Sequence, residues 1–525
     1  MKNLFSYLLK TSFFVVCSCL PCGISGQGIG DFISLAPGGQ TPSFEIPSTH
    51  VFQQIIRKGD ALTSGGVLPG SNDFTGYVPI NGSSENGYLG INAETFSGGM
   101  TVLDLYFDSP SMLWKTTASE AVDFSPVIGT GNNCSGTVTP WNSLVSCEEA
   151  ISSVDLTPEG RKVKGWCVEI DPVSKQVKDK LWALGNFKHE NIVVHKNQRT
   201  VYQGADSNPG YLYKFVADKE KDLSSGDLFV FKGAKNGAGI WLKINNLTPE
   251  EQNTTLEQSG VVEATVFNGI EDVEIGPDGL IYFAVKGEGQ VYRFKDSDPV
   301  AGLTVPSMET FVGNATYTIE GNTGTANANW GLGNDNLAFD KDGNLWVLQD
   351  GGLNYIWVVQ KGHTQINPKV KIFGRTPSGS EPTGITFSPD FRFLFMSIQH
   401  PSGSNNSSMQ EDAAGTILSF DKDVTLVIAR SEHLGSSPMS LTQENESEML
   451  GFPNPVSNHF TMLLKEPISD VKVVVLQADG KMIRTDLMEN GRQFTVDLSK
   501  EAAGMYFIEL WSNKTKVKVA KALKL

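Results

Sequence analysis

The residues with the clearest chemical potential lie between Thr139 and Glu149, where a short apolar run leads into Cys147, Glu148 and Glu149. Thiolates favour iron, zinc or copper, whereas carboxylate oxygens favour calcium, magnesium or manganese. A strand ending in both ligand types therefore predicts a metal site on one rim of a sheet. The alternative is a buried free cysteine beside two solvated glutamates, because free cysteine usually packs as a small apolar residue.

Strands that lead into a carboxylate recur along the chain, as at Glu94 and at Asp206. Three later units share a turn followed by a β-rich run, beginning at Asp278-Gly279, Asp342-Gly343 and Pro389-Asp390. Self-similar hairpins separated by tens of residues are typical of β-propellers. We therefore predict an all-β fold with a six-bladed β-propeller, whose inner strands bring distant side chains to one end of the channel.

Five segments resemble the PhoX family of calcium- and iron-dependent alkaline phosphatases. The first joins Asn133-Cys134-Ser135-Gly136 to the run ending Cys147-Glu148-Glu149. Three others are the segment from Gly185 to Glu190, which ends in His189-Glu190, and the segments that begin at Glu271-Asp272 and at Asn334-Asp335-Asn336. The last surrounds Glu381 and His400. The resemblance implies calcium and iron as cofactors, and the metal ligands Cys147, Glu148, Glu190, Glu271, Asp272, Asp335 and Glu381. A weaker second set comprises Asn92, Glu94, Asp206 and Asn336.

The same resemblance implies a metal-dependent alkaline phosphatase that hydrolyses phosphate monoesters by metal-assisted in-line attack. Cys147, Glu148 and Glu271 are the expected catalytic residues among the ligands. Family members carry an arginine near the Glu-Asp segment, but Asn268, Gly269 and Ile270 stand before Glu271 here. Arg375, six residues before Glu381, is the substitute that we predict for gripping phosphate.

The composition is that of a folded, acidic protein. The formal net charge is −16, and 39% of residues are hydrophobic. Nucleic-acid phosphates require basic patches, so this balance argues against a nucleic-acid partner, while it suits a protein that holds cations. The family resemblance implies small phosphate esters as substrates, and we expect a monomeric protein.

The first 26 residues are typical of a secretory signal peptide, with Lys2 and Lys10 followed by an apolar run and small residues. A lipoprotein signal around Cys17 is the alternative. Three of the six cysteines lie in this segment, which leaves Cys134, Cys147 and Cys167 in the mature chain. An odd number outside the cytoplasm leaves one thiol unpaired. A metal-bound Cys147 would explain that number and would leave Cys134 and Cys167 for a disulfide.

The C-terminal part forms a separate module. We predict that the propeller spans residues 27–430. Residues 431–450 are polar, which predicts a linker. Residues 451–525 predict a small β-sandwich with strands at Val471, Phe494 and Met505. Its Phe-Pro-Asn-Pro start and lysine-rich end resemble sorting domains of type IX secretion cargo. That resemblance implies the type IX machinery as a partner and a secreted or outer-membrane cell-surface location, whereas the alternative is an Ig-like accessory domain.

Two other functions remain open on the sequence alone. One is a non-catalytic calcium-binding propeller at the cell surface. The other is a different propeller hydrolase, such as a calcium-dependent phytase or a lactonase. Neither a Gly-x-Ser-x-Gly elbow nor a P-loop is present in the sequence, which disfavours a serine-hydrolase or nucleotide-cradling mechanism.

Overall fold

The computed structural model describes residues 27–152, 156–435, 450–477, 481–513 and 515–525. The chain divides into two compact units, Met1–Ser436 and Ser437–Leu525, and the division falls inside the segment 431–450 predicted as a linker. The predicted signal peptide at 1–26, with Cys17, Cys19 and Cys22, lies outside the described residues, as do residues 436–449 of the predicted linker.

The first unit consists of antiparallel runs of four strands, which we call blades 1 to 6. Strand β1 (His50–Arg57) precedes them. Blade 1 contains β2 (Asn72–Pro79), β3 (Asn86–Ala93), β4 (Met100–Asp108) and β5 (Leu113–Ala121). Blade 2 contains β6 (Asn133–Val138), β7 (Leu144–Glu148), β8 (Cys167–Asp171) and β9 (Gln176–Lys180).

Blades 3 and 4 are joined into one nine-stranded sheet. Blade 3 contains β10 (His189–Val194), β11 (Thr200–Ala205), β12 (Leu212–Lys219) and β13 (Asp222–Gly233). Strand β14 (Gly237–Ile244) and the short helices α1 (Pro249–Asn253) and α2 (Thr255–Val261) follow. Blade 4 contains β15 (Ile270–Ile275), β16 (Ile281–Val285), β17 (Gln290–Lys295) and β18 (Thr304–Gly313). The two blades connect because β14 pairs with both β13 and β18.

Blades 5 and 6 complete the ring. A hairpin of β19 (Thr316–Gly321) and β20 (Gly324–Asn329) precedes blade 5, which contains β21 (Asn334–Phe339), β22 (Leu345–Gln349), β23 (Tyr355–Val359) and β24 (Val370–Arg375). Blade 6 contains β25 (Glu381–Phe387), β26 (Phe393–Gln399) and β29 (Val424–Arg430), with the hairpin β27 (Met409–Glu411) and β28 (Ile417–Ser419) inserted. Strand β1 pairs with β29, so an N-terminal strand closes the last blade.

The first strand of each blade faces the axis of the ring. Strands β2, β6, β10, β15, β21 and β25 each contact the next, and β25 contacts β2 again. Apolar side chains pack between neighbouring blades, for example Trp346, Phe373 and Leu394 between blades 5 and 6. The predicted Asp-Gly turns are present, since Gly279 and Gly343 have φ of 77° and 81°, which favours glycine. The predicted all-β, propeller-like fold is confirmed, and the strand order supports six blades.

The second unit contains two antiparallel sheets. Strands β30 (Leu450–Phe452), β31 (His459–Ile468) and β34 (Gly491–Asp497) form one sheet. The other contains β32 (Val471–Gln477), β33 (Met482–Met488), β35 (Gly504–Ser512) and β36 (Thr515–Lys524). Both sheets contribute to one apolar core, in which Phe460 and Phe494 of the first meet Val473 and Ile508 of the second. A shared core between two sheets supports the predicted sandwich.

No helix within the described ranges has both the length and the apolar character needed to cross a membrane.

Candidate metal centre

A repeated backbone irregularity places reactive side chains on the axis of the ring. In β2, β6, β10, β15 and β21, the pairing register shifts between the first and the fourth residue of the strand. Such β-bulges bend a strand and redirect its side chains. The second residues of these five strands are Asp73, Cys134, Glu190, Glu271 and Asp335. All five side chains are buried, and they form an inner ring that Glu381, the first residue of β25, extends.

An outer ring follows from the same hairpin geometry. In an antiparallel pair, the end of the second strand lies beside the start of the first. The residue directly after each second strand is therefore at the same rim as the inner ring. These residues are Glu94, Glu149, Asp206, Lys286, Asp350 and His400. The acidic cluster, as we use the term below, comprises Asp73, Glu94, Cys134, Glu149, Glu190, Asp206, Glu271, Asp335, Asp350 and Glu381.

Three overlapping groups within the acidic cluster have the spacing of metal ligands. In each group, one ligand atom of every residue lies within 4.8 Å of the others. The groups are Asp73–Glu94–Cys134, Cys134–Glu149–Glu190 and Glu190–Glu271–Asp335. Cys134 Sγ is 3.1 Å from Glu190 Oε1 and 3.4 Å from Asp73 Oδ2. The thiol and Glu190 are each shared by two groups, so they connect the set.

The remaining members of the acidic cluster adjoin these groups. Asp206 interacts through its side chain with Glu149 and Glu271, and Asp350 does so with Glu381. Two lysines provide positive charge. Lys286 Nζ lies 3.2 Å from Asp350 Oδ2 and 3.8 Å from both Glu271 Oε1 and Asp335 Oδ2. Lys188 Nζ lies 3.1 Å from Glu149 Oε1.

Burial and mutual repulsion disfavour the ionised forms of the cluster. Burial, followed by the charges of Glu271, Asp335 and Asp73, raises the pKa of Glu190 well above its usual value. Burial also raises the pKa of Asp335 to about 7 and that of Glu381 to about 10, with Asp350 adding to both. At 4 Å two carboxylates repel by about 4 kcal/mol even at an effective dielectric constant of about 20. Cations in the cluster would remove this cost.

Two buried oxygens in the acidic cluster have no hydrogen-bond partner, namely Asp73 Oδ1 and Glu271 Oε1. Unpartnered buried carboxylate oxygens cost free energy unless a ligand satisfies them. A set of nine carboxylates with one thiol offers hard oxygen donors for calcium and one soft donor for a transition metal such as iron. The residues present therefore fit the metals that the sequence implied.

Several predicted ligands lie in the acidic cluster. The structure brings Glu190, Glu271 and Asp335 into one group and Glu381 beside them. Of the weaker set, Glu94 and Asp206 belong to the cluster, whereas the two asparagines support its backbone. Asn92 Nδ2 donates to the carbonyls of Cys134 and Ser135, and Asn336 Oδ1 accepts from the amide of Gly384.

Asp272 is adjacent to the cluster but points along the channel. Its carboxylate accepts hydrogen bonds from Asn191 Nδ2 and, at 2.6 Å, from the amide of Leu337. It lines a cavity of about 150 Å³ together with Ser135, Asn191 and Asn336. Asp272, Ser135, Asn191 and Asn336 are the third residues of their strands. In these strands the second residue therefore belongs to the acidic cluster, whereas the third residue lines the cavity.

The structure does not bring Cys147, Glu148 or Arg375 to the cluster. Cys147 and Glu148 belong to β7, the second strand of blade 2, which is one strand away from the axis. Cys147 packs in an apolar core with its Sγ 3.6 Å from Cys167 Sγ. The expected pairing of Cys167 with Cys134 is therefore replaced by a contact with Cys147.

Glu148 and Arg375 instead form structural ion pairs. Glu148 is fully buried, lies 3.2 Å from Lys180 Nζ, and accepts from the amides of Gly131 and Trp166. Arg375 lies at the end of β24, the strand of blade 5 furthest from the axis, and its guanidinium forms an ion pair with Glu45. Neither charged group is free to contact a ligand in the channel.

Sequence reasoning missed Asp73, Cys134, Glu149, Asp350, Lys188 and Lys286. A signal for Asp73 and Cys134 was present, because an acidic or thiol residue stands second in Asn72-Asp73, Asn133-Cys134, His189-Glu190, Ile270-Glu271 and Asn334-Asp335. Aligning the blades on this position would have selected Cys134 instead of Cys147. Aligning the blades on the residue directly after each second strand would have selected Glu149, Lys286 and Asp350.

Comparisons with known proteins match two parts of the sequence to family models. The family model described as alkaline phosphatase PhoX matches residues 104–402. The model described as secretion system C-terminal sorting domain matches residues 451–524. A search of curated proteins finds no match to this sequence.

A solved structure shares the fold over most of this chain. PhoX of Pseudomonas fluorescens, determined in complex with vanadate, a transition state analogue, has a TM-score of 0.60 and 19% identity, covering 77% of this chain and 99% of that chain. A gluconolactonase of Xanthomonas campestris has a TM-score of 0.37 and 11% identity, with coverages of 77% and 99%. The periplasmic gluconolactonase of Pseudomonas aeruginosa has a TM-score of 0.38 and 11% identity, with coverages of 72% and 99%. The two lactonases are too distant to support an inference.

Proposed function

The chain belongs to the alkaline phosphatase PhoX family, and from this premise we propose that the acidic cluster hydrolyses phosphate monoesters with calcium and iron bound. The family resemblance seen in the sequence is thereby confirmed, and the sorting domain identifies a secreted or cell-surface protein. The observation that carries the proposal is the set of three overlapping ligand groups centred on Cys134 and Glu190.

Donor chemistry supports a division of the cluster between two kinds of metal. Cys134 is the one thiol in the acidic cluster, and thiolate ligands select iron over calcium. Asp73, Glu94, Glu149 and Glu190 surround it and would complete an iron site. The group Glu190–Glu271–Asp335 contains oxygen donors alone, which suits calcium. Cys147 and Glu148 are not part of the proposed site, because they lie in the core of blade 2.

Lys286 is the residue that we propose for binding the phosphate in place of Arg375. Its ammonium is held among Glu271, Asp335 and Asp350, while the side chain remains 38% exposed. Burial alone would lower the pKa of Lys286, but the three carboxylates raise it above its usual value, so it is charged at alkaline pH. A lysine acts on phosphoryl oxygens as a point charge.

The other residues of the acidic cluster hold the metal ions and the substrate in position. The bulged inner strands fix the carboxylates before substrate arrives, and preorganised charges are worth more than charges that must be oriented during reaction. Bound cations supply Lewis acidity toward phosphoryl oxygens and neutralise developing charge. Lys188, paired with Glu149, adds a second positive group at the rim. The in-line geometry implied by the resemblance remains a prediction, as do the monomeric state and the absence of a nucleic-acid partner.

The test uses the full-length exported protein. Metal content is measured by elemental analysis, and hydrolysis of p-nitrophenyl phosphate is compared with that of bis(p-nitrophenyl) phosphate and of gluconolactone. We expect calcium and iron together, and turnover of the monoester that a chelator abolishes. Calcium without iron and without turnover would instead favour a non-catalytic calcium-binding propeller. Lactone cleavage without phosphatase activity would favour a lactonase.

Substituting Lys286 by methionine tests its role in binding phosphate. We expect Lys286→Met to raise KM for p-nitrophenyl phosphate by about 10- to 100-fold, because each lost 1.4 kcal/mol of binding is a factor of 10. Lys235→Met is the matched control, since Lys235 forms an ion pair with Glu288 outside the acidic cluster. An unchanged KM in Lys286→Met, with the metal content retained, contradicts the assignment.

A further inference from the structure

We propose that Cys147 and Cys167 form a disulfide bond in the exported protein. The two residues are direct partners in the antiparallel pairing of β7 with β8. Both are fully buried, and their Sγ atoms are 3.6 Å apart. The proposal does not depend on the reaction catalysed, because it concerns the core of blade 2 and not the acidic cluster.

The backbone geometry at this pair suits a disulfide. The amide of Glu148 donates to the carbonyl of Trp166 at 3.0 Å, and the carbonyl of Cys167 accepts at 2.9 Å from the amide of Leu181, directly after β9, so the backbone polar groups of Cys167 face β9 and not β7. Pair types alternate along an antiparallel ladder, so Cys147 and Cys167 occupy a non-hydrogen-bonded position, with Cα atoms about 4.5 Å apart. Disulfides span Cα separations of about 4.4–6.8 Å. Rotation of the two side chains can therefore close the bond without moving either strand.

His189 orients the thiol of Cys167 in the folded protein. Its Nε2 lies 2.9 Å from the carbonyl of Gly185, which can only accept, so Nε2 carries the proton and donates. Nδ1 is then an acceptor, and it lies 3.3 Å from Cys167 Sγ. The thiol of Cys167 donates to Nδ1, which directs its hydrogen away from Cys147 and leaves the two sulfur atoms facing each other.

The compartment supplies the conditions for the bond. The sorting domain directs the protein to the cell surface or beyond, where disulfides persist. Cys134, Cys147 and Cys167 are the cysteines within the described residues. Pairing Cys147 with Cys167 leaves Cys134 as the unpaired thiol, beside Asp73 and Glu190 in the acidic cluster. The odd number of cysteines is thus explained by one bond and one metal ligand.

The reaction is a thiol–disulfide exchange with a protein disulfide oxidant of the cell envelope, and it takes place while the chain folds, because both sulfur atoms are fully buried in the folded protein. One cysteine thiolate attacks the oxidant's disulfide, which gives a mixed disulfide and releases one oxidant sulfur as a thiolate. The second cysteine thiolate then attacks the mixed disulfide at the Cys147 or Cys167 sulfur, forming the S–S bond and releasing the other oxidant sulfur. The two protons from Cys147 and Cys167 end on the oxidant, which is reduced by two electrons.

The bond would anchor the segments that carry cluster residues. Cys147 stands two residues before Glu149, and His189, which contacts Cys167, stands directly before Glu190. Glu149 and Glu190 belong to the same ligand group as Cys134. A covalent link between β7 and β8 would therefore hold the backbone next to Glu149 and Glu190 in place.

The experiment reads the thiols of the exported protein directly. Protein is quenched in acid, denatured, and alkylated without reductant, and is then digested with chymotrypsin, which cleaves after Trp141 and so separates Cys134 from Cys147. We expect alkylated Cys134 and a cross-linked peptide joining Cys147 to Cys167. Reductant added before alkylation should convert the linked peptide into two alkylated ones. Alkylated Cys147 and Cys167 in most molecules, or a link that includes Cys134, overturns the proposal.

Matched variants assign the bond. Cys167→Val should leave Cys147 alkylated, whereas Cys134→Ser should retain the cross-linked peptide. The thermal unfolding midpoint of the wild type should fall when unfolding is measured with reductant, because the closed loop no longer restricts the unfolded chain. The double variant Cys147→Ala/Cys167→Ala should show no such response. If reductant lowered the unfolding midpoint equally in the wild type and in the double variant, the bond would be contradicted. This comparison holds even if the double variant is less stable than the wild type.

Discussion

Two regions of blade 2 contain a cysteine close to glutamates, yet the fold gives them opposite roles. Cys134 stands second in the bulged inner strand β6 and faces Asp73 and Glu190. Cys147 stands in the regular second strand β7 and faces Cys167 in an apolar core. The difference shows that the position in the blade, and not the residue type or a neighbouring acid, decides whether a thiol reaches the channel.

The two consecutive glutamates at the end of β7 show the same contrast. Glu148 is the last residue of the strand, is fully buried, and is neutralised by Lys180 at 3.2 Å. Burial raises its pKa to about 7, although Lys180 and two backbone amides act in the other direction. Glu149 is one residue beyond the strand and joins Cys134 and Glu190. A shift of one residue turns a side chain to the other side of a strand.

The largest effect is expected at the residue that connects two ligand groups. Glu190→Gln keeps the shape but removes the charge of a ligand shared by both. Since changes to residues that merely support metal ligands cost about 10- to 100-fold, we expect at least a 100-fold loss of phosphatase activity and a loss of bound metal. Circular dichroism should show the fold unchanged. Full activity in this variant would remove Glu190 from the site.

Substituting the two cysteines tests the comparison most directly. Cys134→Ser replaces the soft donor by a hard one, so we expect loss of iron and about a 100-fold fall in activity, with calcium retained. Cys147→Ser should keep its iron, because its sulfur lies in the core of blade 2. Elemental analysis and turnover of p-nitrophenyl phosphate measure both. The reverse pattern would restore the role that the sequence suggested for Cys147.

Glu148→Gln should reduce stability more than activity. The substitution leaves Lys180 as a buried charge without its partner, and breaking a buried ion pair in this way costs about 3–5 kcal/mol. We expect a lower unfolding midpoint in denaturant and, per folded molecule, activity close to that of the wild type. The double variant Glu148→Gln/Lys180→Met should recover part of the lost stability. A stable variant that lacks metal would instead identify Glu148 as a ligand.

The smallest effect is expected for Arg375→Ala. Its guanidinium is paired with Glu45 at the outer edge of blade 5 and is 15% exposed. We expect a loss of about 1 kcal/mol in stability, near the upper end for partly exposed pairs, and an unchanged KM for phosphate ester. A KM increase comparable to that of Lys286→Met would show that this arginine, after all, contacts the substrate.

The fold was largely predictable, whereas the membership of the acidic cluster was predictable in part. Strand patterns and the Asp278-Gly279 and Asp342-Gly343 turns indicated a propeller, since alternation and turn chemistry are local. The structure brings Glu190, Glu271, Asp335 and Glu381 together, and their role as metal ligands, which the family resemblance implied, stays a prediction. Cys147 and Glu148 were selected over Cys134 and Glu149 because the sequence does not reveal which strand of a hairpin lies on the axis.

The sequence alone determined the elements: strands from alternating apolar residues, turns from Asp-Gly pairs, and an acidic composition that suits a protein holding cations. These depend on each residue and its near neighbours. Only the tertiary structure decided which carboxylates and which thiol share the channel mouth, because β-bulges at the start of five inner strands redirect residues that are tens to hundreds of positions apart. Ring closure then converts those local irregularities into one site, whereas the pairing of β7 with β8 within blade 2 places Cys147 against Cys167.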